Sequence, residues 1–141
     1  MNFVSIIAAA VATLIIGFIW YHPKVFGKAW KLQLGDVNKK SKPTKMPLII
    51  GVTFVLAILA AFFLYTIVNY GGGPNMPHGT PEFQTFKHGA FHGAFLGSLI
   101  GIPMIVTNGL YEQRSFKYLA INAGYWMVSF TIMGGIVCQW P

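Results

Sequence analysis

His88 and His92 are the residues of this chain whose type and spacing come closest to chemistry. They head a tandem repeat, His88-Gly-Ala-Phe followed by His92-Gly-Ala-Phe. Four residues are about one helical turn, so a helix presents both imidazoles to one side. At that spacing two ring nitrogens can share a metal ion or pass a proton. Two ligands do not close a zinc site, and the others would have to come from His78, Glu82, water or a neighbouring chain. Lys87 directly precedes the pair, which puts it at the edge of an apolar stretch, where hydration lowers the cost of an ionisable group. Structural or interfacial imidazoles are therefore the simpler expectation.

The three acids, Asp36, Glu82 and Glu112, all lie between apolar stretches. A membrane hydrolase or transferase needs a nucleophile and a base, or paired carboxylates, at one depth, so no enzyme and no cofactor are expected. A small multidrug-type exporter has a similar length, but its mechanism needs a carboxylate within the membrane. A haem carrier needs histidines at matching depth on facing helices, and His22 belongs to the opposite side from His88 and His92. The lone Cys138 cannot close an internal disulfide.

The elements that must position these side chains are apolar spans. Four stretches, Phe3 to Tyr21, Pro47 to Tyr70, His88 to Tyr111 and Tyr118 to Pro141, run without one Asp, Glu, Lys or Arg. Each approaches or exceeds the ~20 residues that cross a hydrocarbon core of about 30 Å. Charged residues make up 9% of the chain, far below the ~25% of a soluble domain. The expected fold is an all-α membrane protein: four transmembrane helices in an up-and-down antiparallel bundle, with a short interfacial amphipathic helix between the first two. One domain, 1–141, is predicted, with spans near 2–21, 47–70, 88–110 and 118–139. The start Met-Asn-Phe-Val-Ser lacks a basic leader region, so the first span is expected to stay as an anchor.

Charge placement orients the bundle. The connector 22–46 carries Lys24, Lys28, Lys31, Lys39, Lys40, Lys42 and Lys45, and the last connector carries Arg114 and Lys117. Cations are retained in the cytoplasm, so both termini are expected outside. The formal charge of +7 then faces anionic lipid headgroups rather than nucleic acid. Within the first connector, a wheel from Lys24 to Leu34 puts Val25, Phe26, Ala29, Trp30, Leu32 and Leu34 on one side and Lys24, Lys28 and Lys31 on the other. Such a helix lies in the interface, with Trp20, Tyr21 and Trp30 at headgroup level. Pro23 breaks it from the first span. The connector from Asn69 to Thr85, rich in glycine and proline, reads as an outer loop.

The third span carries glycine at 89, 93, 97 and 101. Four-residue spacing puts Gly89, Gly93, Gly97 and Gly101 along one slowly drifting stripe, a glycine zipper at which another backbone can approach closely. Its partner lies in the same chain or in a second copy, and a homo-oligomer or a larger membrane complex follows from the latter. Pro103 is expected to kink this span. Asn108 and Asn122, near the cytoplasmic end, are expected to bond across the last helix pair or to line a polar path. Glu112 and Arg114 are expected to pair in the turn.

Two segments resemble a known family. They are Gly17-Phe-Ile-Trp20-Tyr21-His-Pro-Lys-Val-Phe26-Gly27-Lys28-Ala-Trp30 and Thr107-Asn108-Gly-Leu-Tyr-Glu-Gln-Arg-Ser-Phe-Lys117-Tyr-Leu-Ala-Ile-Asn122-Ala-Gly124-Tyr125. Together they resemble the bacterial membrane-protein family called domain of unknown function 1761. The resemblance covers nearly the whole chain and implies a four-helix integral protein of the bacterial inner membrane. It implies no activity, substrate or site.

The functional expectation is a non-catalytic structural or accessory bundle associating through its glycine-zipper helix. The alternatives are a small channel or transporter with His88 and His92 along a proton or solute path, and a metal-binding membrane protein using the same pair.

Overall fold

The computed structural model describes residues 2–34, 45–70 and 80–141. Most of the basic tract after Leu34 and of the glycine-rich connector, with Asp36, Lys39, Lys40, Lys42 and His78, lies outside the described residues. The described chain is helical: α1 (Phe3–Trp20), a π-helical turn (Pro23–Gly27), α2 (Lys28–Leu34), α3 (Met46–Tyr70), α4 (Phe86–Leu96), a second π-helical stretch (Gly97–Gly101), α5 (Ile102–Tyr111) and α6 (Phe116–Gln139). Among the described residues four helical segments are long and apolar enough to cross a membrane, with α4, the wide turn and α5 forming one of them.

Side-chain caps start the helices. The Asn2 side chain accepts from the amides of Val4 at 3.0 Å and Ser5 at 3.4 Å, satisfying two donors that a helix start leaves open. Thr85 does the same for His88 and Ser115 for Tyr118. In hydrocarbon this matters more than in water, because no solvent can take up the unmet groups. At the other end of α1 the chain turns at His22-Pro23, where His22 Nδ1 accepts from the Lys24 amide at 3.2 Å. The amphipathic segment is thus divided into a wide turn and a seven-residue helix rather than one continuous helix from Lys24. Gly27 sits so close to the Tyr21 carbonyl that no β-carbon would fit.

Helix α6 is the least hydropathic of the four spans and the most buried. Where lipid is the outer solvent, leucine and phenylalanine gain nothing by turning inward, and the small or polar residues are the ones that collect between helices. Accordingly, Ser5, Thr13, Asn69 and Ser129 are buried, while Leu48, Val52, Val55, Leu59 and Phe63 of α3 are exposed.

The helix pairs are identified by contacts far apart in sequence. The Asn2 amide donates to Tyr65 Oη at 3.1 Å, joining the start of α1 to the last turns of α3. Trp20 Nε1 donates to the Ile121 carbonyl at 3.0 Å, joining the end of α1 to the first turns of α6. Asn69 Nδ2 donates to the Val137 carbonyl at 3.1 Å, so the last turns of α3 and α6 lie together. Ile6, Ala9, Ala61, Leu64, Met133 and Val137 pack into one core at that end. Toward the opposite end the bundle opens: α1 buries nothing beyond Thr13, and α3 buries nothing before Ala57.

Candidate functional site

The glycine stripe is used within the chain. A β-carbon on Gly89 would collide with the Gly134 carbonyl and Cys138, and one on Gly93 with the Phe130 carbonyl. The approach is reciprocal, since a β-carbon on Gly134 would strike the Gly89 carbonyl and come within 3.1 Å of Gly93 Cα. Farther along, the contacts loosen. Gly97 faces the Phe130 β-carbon at 3.4 Å and Met127 Cα at 3.5 Å, and Gly101 faces only the Phe130 ring at 3.7 Å. The Gly134-Gly135 doublet, which takes the other half of this contact, was visible in the sequence as two adjacent small residues in the last span. Its role could not be read without knowing which helix faces which.

The expected kink at Pro103 takes the form of the wide turn just before it. The Ile102 amide reaches back to the Gly97 carbonyl, five residues away. A proline lacks a donor and crowds the preceding turn, and a π turn relieves both. The wide turn also preserves the stripe. An α turn holds 3.6 residues, so a strict four-residue spacing drifts around a pure α-helix, and a wider turn gives part of that drift back. Gly109, two further steps of four along, is again buried, against Leu119.

Asn108 precedes Gly109 by one position, about 100° around the helix; it is exposed and borders a shallow cleft with Tyr118 and Asn122. Asn122 does make an interhelical bond, but to α1 rather than to α5. Its Oδ1 accepts from the Tyr21 hydroxyl at 2.8 Å, and its Nδ2 donates to the Tyr118 carbonyl at 2.8 Å. In the turn, Arg114 Nε lies 3.1 Å from Glu112 Oε2, as expected. The turn itself is closed by Gln113 at φ 55°, a left-handed conformation for a residue with a side chain.

His88 and His92 stand edge to face, ring centroids 4.5 Å apart, on one side of the first turns of α4. Phe83 packs on His88 at 5.2 Å and Phe91 on His92 at 5.8 Å. Among the described residues no third His, Cys, Asp or Glu joins them in a set able to hold a metal ion. The next residue on their side, Leu96, packs against the apolar core.

A second constellation forms at the opposite end, where α1, α2 and α6 meet. Tyr21, bonded to Asn122, packs its ring edge-on against Trp30 at 5.2 Å and tilted against Tyr125 at 5.3 Å. Trp20, bonded to Ile121, packs on Phe26 at 4.6 Å and lies over Gly124, where a β-carbon would come within 2.9 Å of the indole. Gly17 leaves room for the Tyr125 hydroxyl, which donates to the Thr13 carbonyl at 3.3 Å. Trp20 and Tyr21 are thus pinned to α6 as well as standing at the end of a span. Lys24, Lys28 and Lys31 are exposed around this corner, and Trp30 is half-buried. The two segments singled out in the sequence, 101 residues apart at Tyr21 and Asn122, therefore form one site.

Residues 4–138, which contain both segments, match the family described as protein of unknown function (DUF1761). The chain belongs to that family. Neither a curated protein nor a solved structure matches it. The DUF1761 description carries no activity, so the reading of function rests on the geometry of this chain.

Proposed function

We propose that this DUF1761 protein is a non-catalytic structural or accessory bundle of the bacterial inner membrane. Its four spans run up and down, antiparallel, as one domain with both termini outside. Helix α2 lies in the cytoplasmic interface, and Lys24, Lys28, Lys31 and Trp30 meet anionic lipid headgroups there. The observation that carries this reading is the use of the four-glycine stripe: its tightest contacts, at Gly89 and Gly93, are with α6 of the same chain. The zipper is a clamp that holds the third and fourth spans together, and any association with a second copy or a larger complex uses another face. Of the two described carboxylates, Glu82 is exposed and Glu112 pairs with Arg114 outside the spans.

A proton or solute path along His88 and His92 is the second reading, favoured by the edge-to-face imidazole pair. Against it, the side they share continues as Leu96, packed in the apolar core. Metal binding by the same pair ranks below both, because no third ligand stands beside them among the described residues.

Gly93→Leu and His92→Ala together separate the first two readings. Under the structural reading Gly93→Leu lowers the yield of folded protein, and His92→Ala leaves fold and membrane permeability unchanged. A proton or solute flux in proteoliposomes that depends on His92 would transfer the proposal to the second reading.

A further inference from the structure

The apolar cluster shared by α1, α3 and α6 occupies one half of the bundle, and at the other end α1 and α3 part around a groove while the first turns of α6 stay buried. Helices α1 and α3 touch through Ala9, Ala61 and Tyr65, then part: Met46, Pro47 and Leu48 are all exposed, and Gly51 has nothing within 4 Å of where a β-carbon would stand. Between them lies a groove of about 480 Å³, bounded by Gly17, Phe18 and Tyr21 of the α1 end, Trp30 of α2, and Met46 and Ile50 of α3. That volume falls within the ~300–1,000 Å³ of ligand pockets. Its walls are almost wholly apolar.

The mouth is different. Trp30 Nε1 is buried and has no hydrogen-bond partner among the described residues. A buried indole N–H left unmet is costly, and an acceptor is expected to reach it. Lys28 and Lys31 neighbour Trp30 in the sequence of α2, Lys45 directly precedes Met46, and all three lysines are exposed at this end of the bundle. No carboxylate among the described residues pairs with them: Glu112 is taken by Arg114, and Glu82 lies just before α4, at the far end of the bundle. An apolar slot edged by an unmet donor, with exposed cations at the same end of the bundle, is complementary to a molecule with a long hydrocarbon chain and an anionic, acceptor-rich head.

We propose that this groove seats one acyl chain of an anionic phospholipid, with the Trp30 indole N–H and Lys28, Lys31 and Lys45 meeting its headgroup. The inference rests on the topology proposed above, because the lysines must lie at an interface. It goes further by assigning one lipid to one place. Bound there, the lipid fills the gap between α1 and α3 and completes the packing that the protein leaves open at that end.

The full-length chain, reconstituted in bilayers, is photocrosslinked with phosphatidylglycerol carrying a photoreactive acyl chain, and the adducts are mapped by mass spectrometry. Adducts are expected at Phe18, Trp30 and Ile50, outcompeted on the order of tenfold better by phosphatidylglycerol than by phosphatidylcholine, since each lysine near the surface favours anionic lipid. Ile50→Trp, which fills the slot, is expected to abolish the Phe18 adduct. Lys28→Gln with Lys31→Gln and Lys45→Gln is expected to erase the lipid preference. Trp30→Phe keeps the ring, loses the donor and weakens retention. Circular dichroism of each variant establishes that it is folded, and the exposed lysine changes keep the test open if Ile50→Trp does not fold.

Adducts spread evenly over Val52, Val55 and Leu59 with no lipid preference would overturn the proposal and leave only annular lipid. So would crosslinks from the groove into a second copy of the chain. Amine labelling in spheroplasts tests the topology separately: labelled lysines on the outer face would sink the bundle's orientation, whereas correct labelling without selective adducts sinks the groove assignment alone.

Discussion

At the scale of single residues, the difference between glycines is the most direct handle on this protein. Gly51 faces open space, so Gly51→Ala removes a poor helix former without a clash and is expected to be neutral or to stabilise by up to about 1 kcal/mol. Thermal unfolding in mild detergent measures it. Tyr21→Phe deletes the hydroxyl that donates to Asn122 and is expected to cost about 0.6–1.7 kcal/mol, the range of interhelical hydrogen bonds in membranes.

At the scale of elements, the α4–α6 clamp is graded. Its backbone-to-backbone contacts lie at Gly89 and Gly93, while Gly97 and Gly101 meet mostly side-chain atoms at 3.4 Å or more, which can give way. Gly89→Ala and Gly93→Ala are expected to destabilise by about 1–3 kcal/mol, the cost of overpacking, and Gly97→Ala and Gly101→Ala by much less. Equal losses at all four positions, measured by unfolding in detergent, would contradict the gradient. The repeat of small residues and the proline were plain in the sequence. The wide turn that joins them was not, because a helical wheel assumes one period throughout and a π turn changes it. Beyond that turn Gly109 is buried and Asn108, next to it, is exposed at the edge of a cleft that Asn122 also borders.

At the scale of the whole molecule, the bundle is closed at the end where α1 begins and α3 and α6 finish, and open at the end bordered by lysines. If the lysine-rich connector is cytoplasmic, an impermeant amine reagent is expected to leave Lys24, Lys28, Lys31 and Lys45 unmodified in intact spheroplasts and to modify them in inverted vesicles. Loss of the second behaviour alone would mean that the lysines are shielded, and labelling in intact spheroplasts would invert the topology. The half-open form fits a protein whose solvent is lipid. An exposed face of leucine and valine on α3 carries no penalty there, and helix pairs are held by small-residue contact and a few hydrogen bonds rather than by apolar burial.

The sequence by itself determined the solvent, the number of spans, the family resemblance and the residues that would carry contacts, because length and charge depletion reflect the thickness and low polarity of a bilayer locally, residue by residue. Which faces meet was decided only by tertiary structure. That Gly134 receives Gly89, that Asn122 holds Tyr21 rather than Asn108's helix, and that α1 and α3 part beyond Thr13 depend on contacts between residues 45 to 101 positions apart. In lipid no hydrophobic gradient distinguishes one apolar side of a helix from another, so periodicity along the chain leaves these pairings open until the backbones meet.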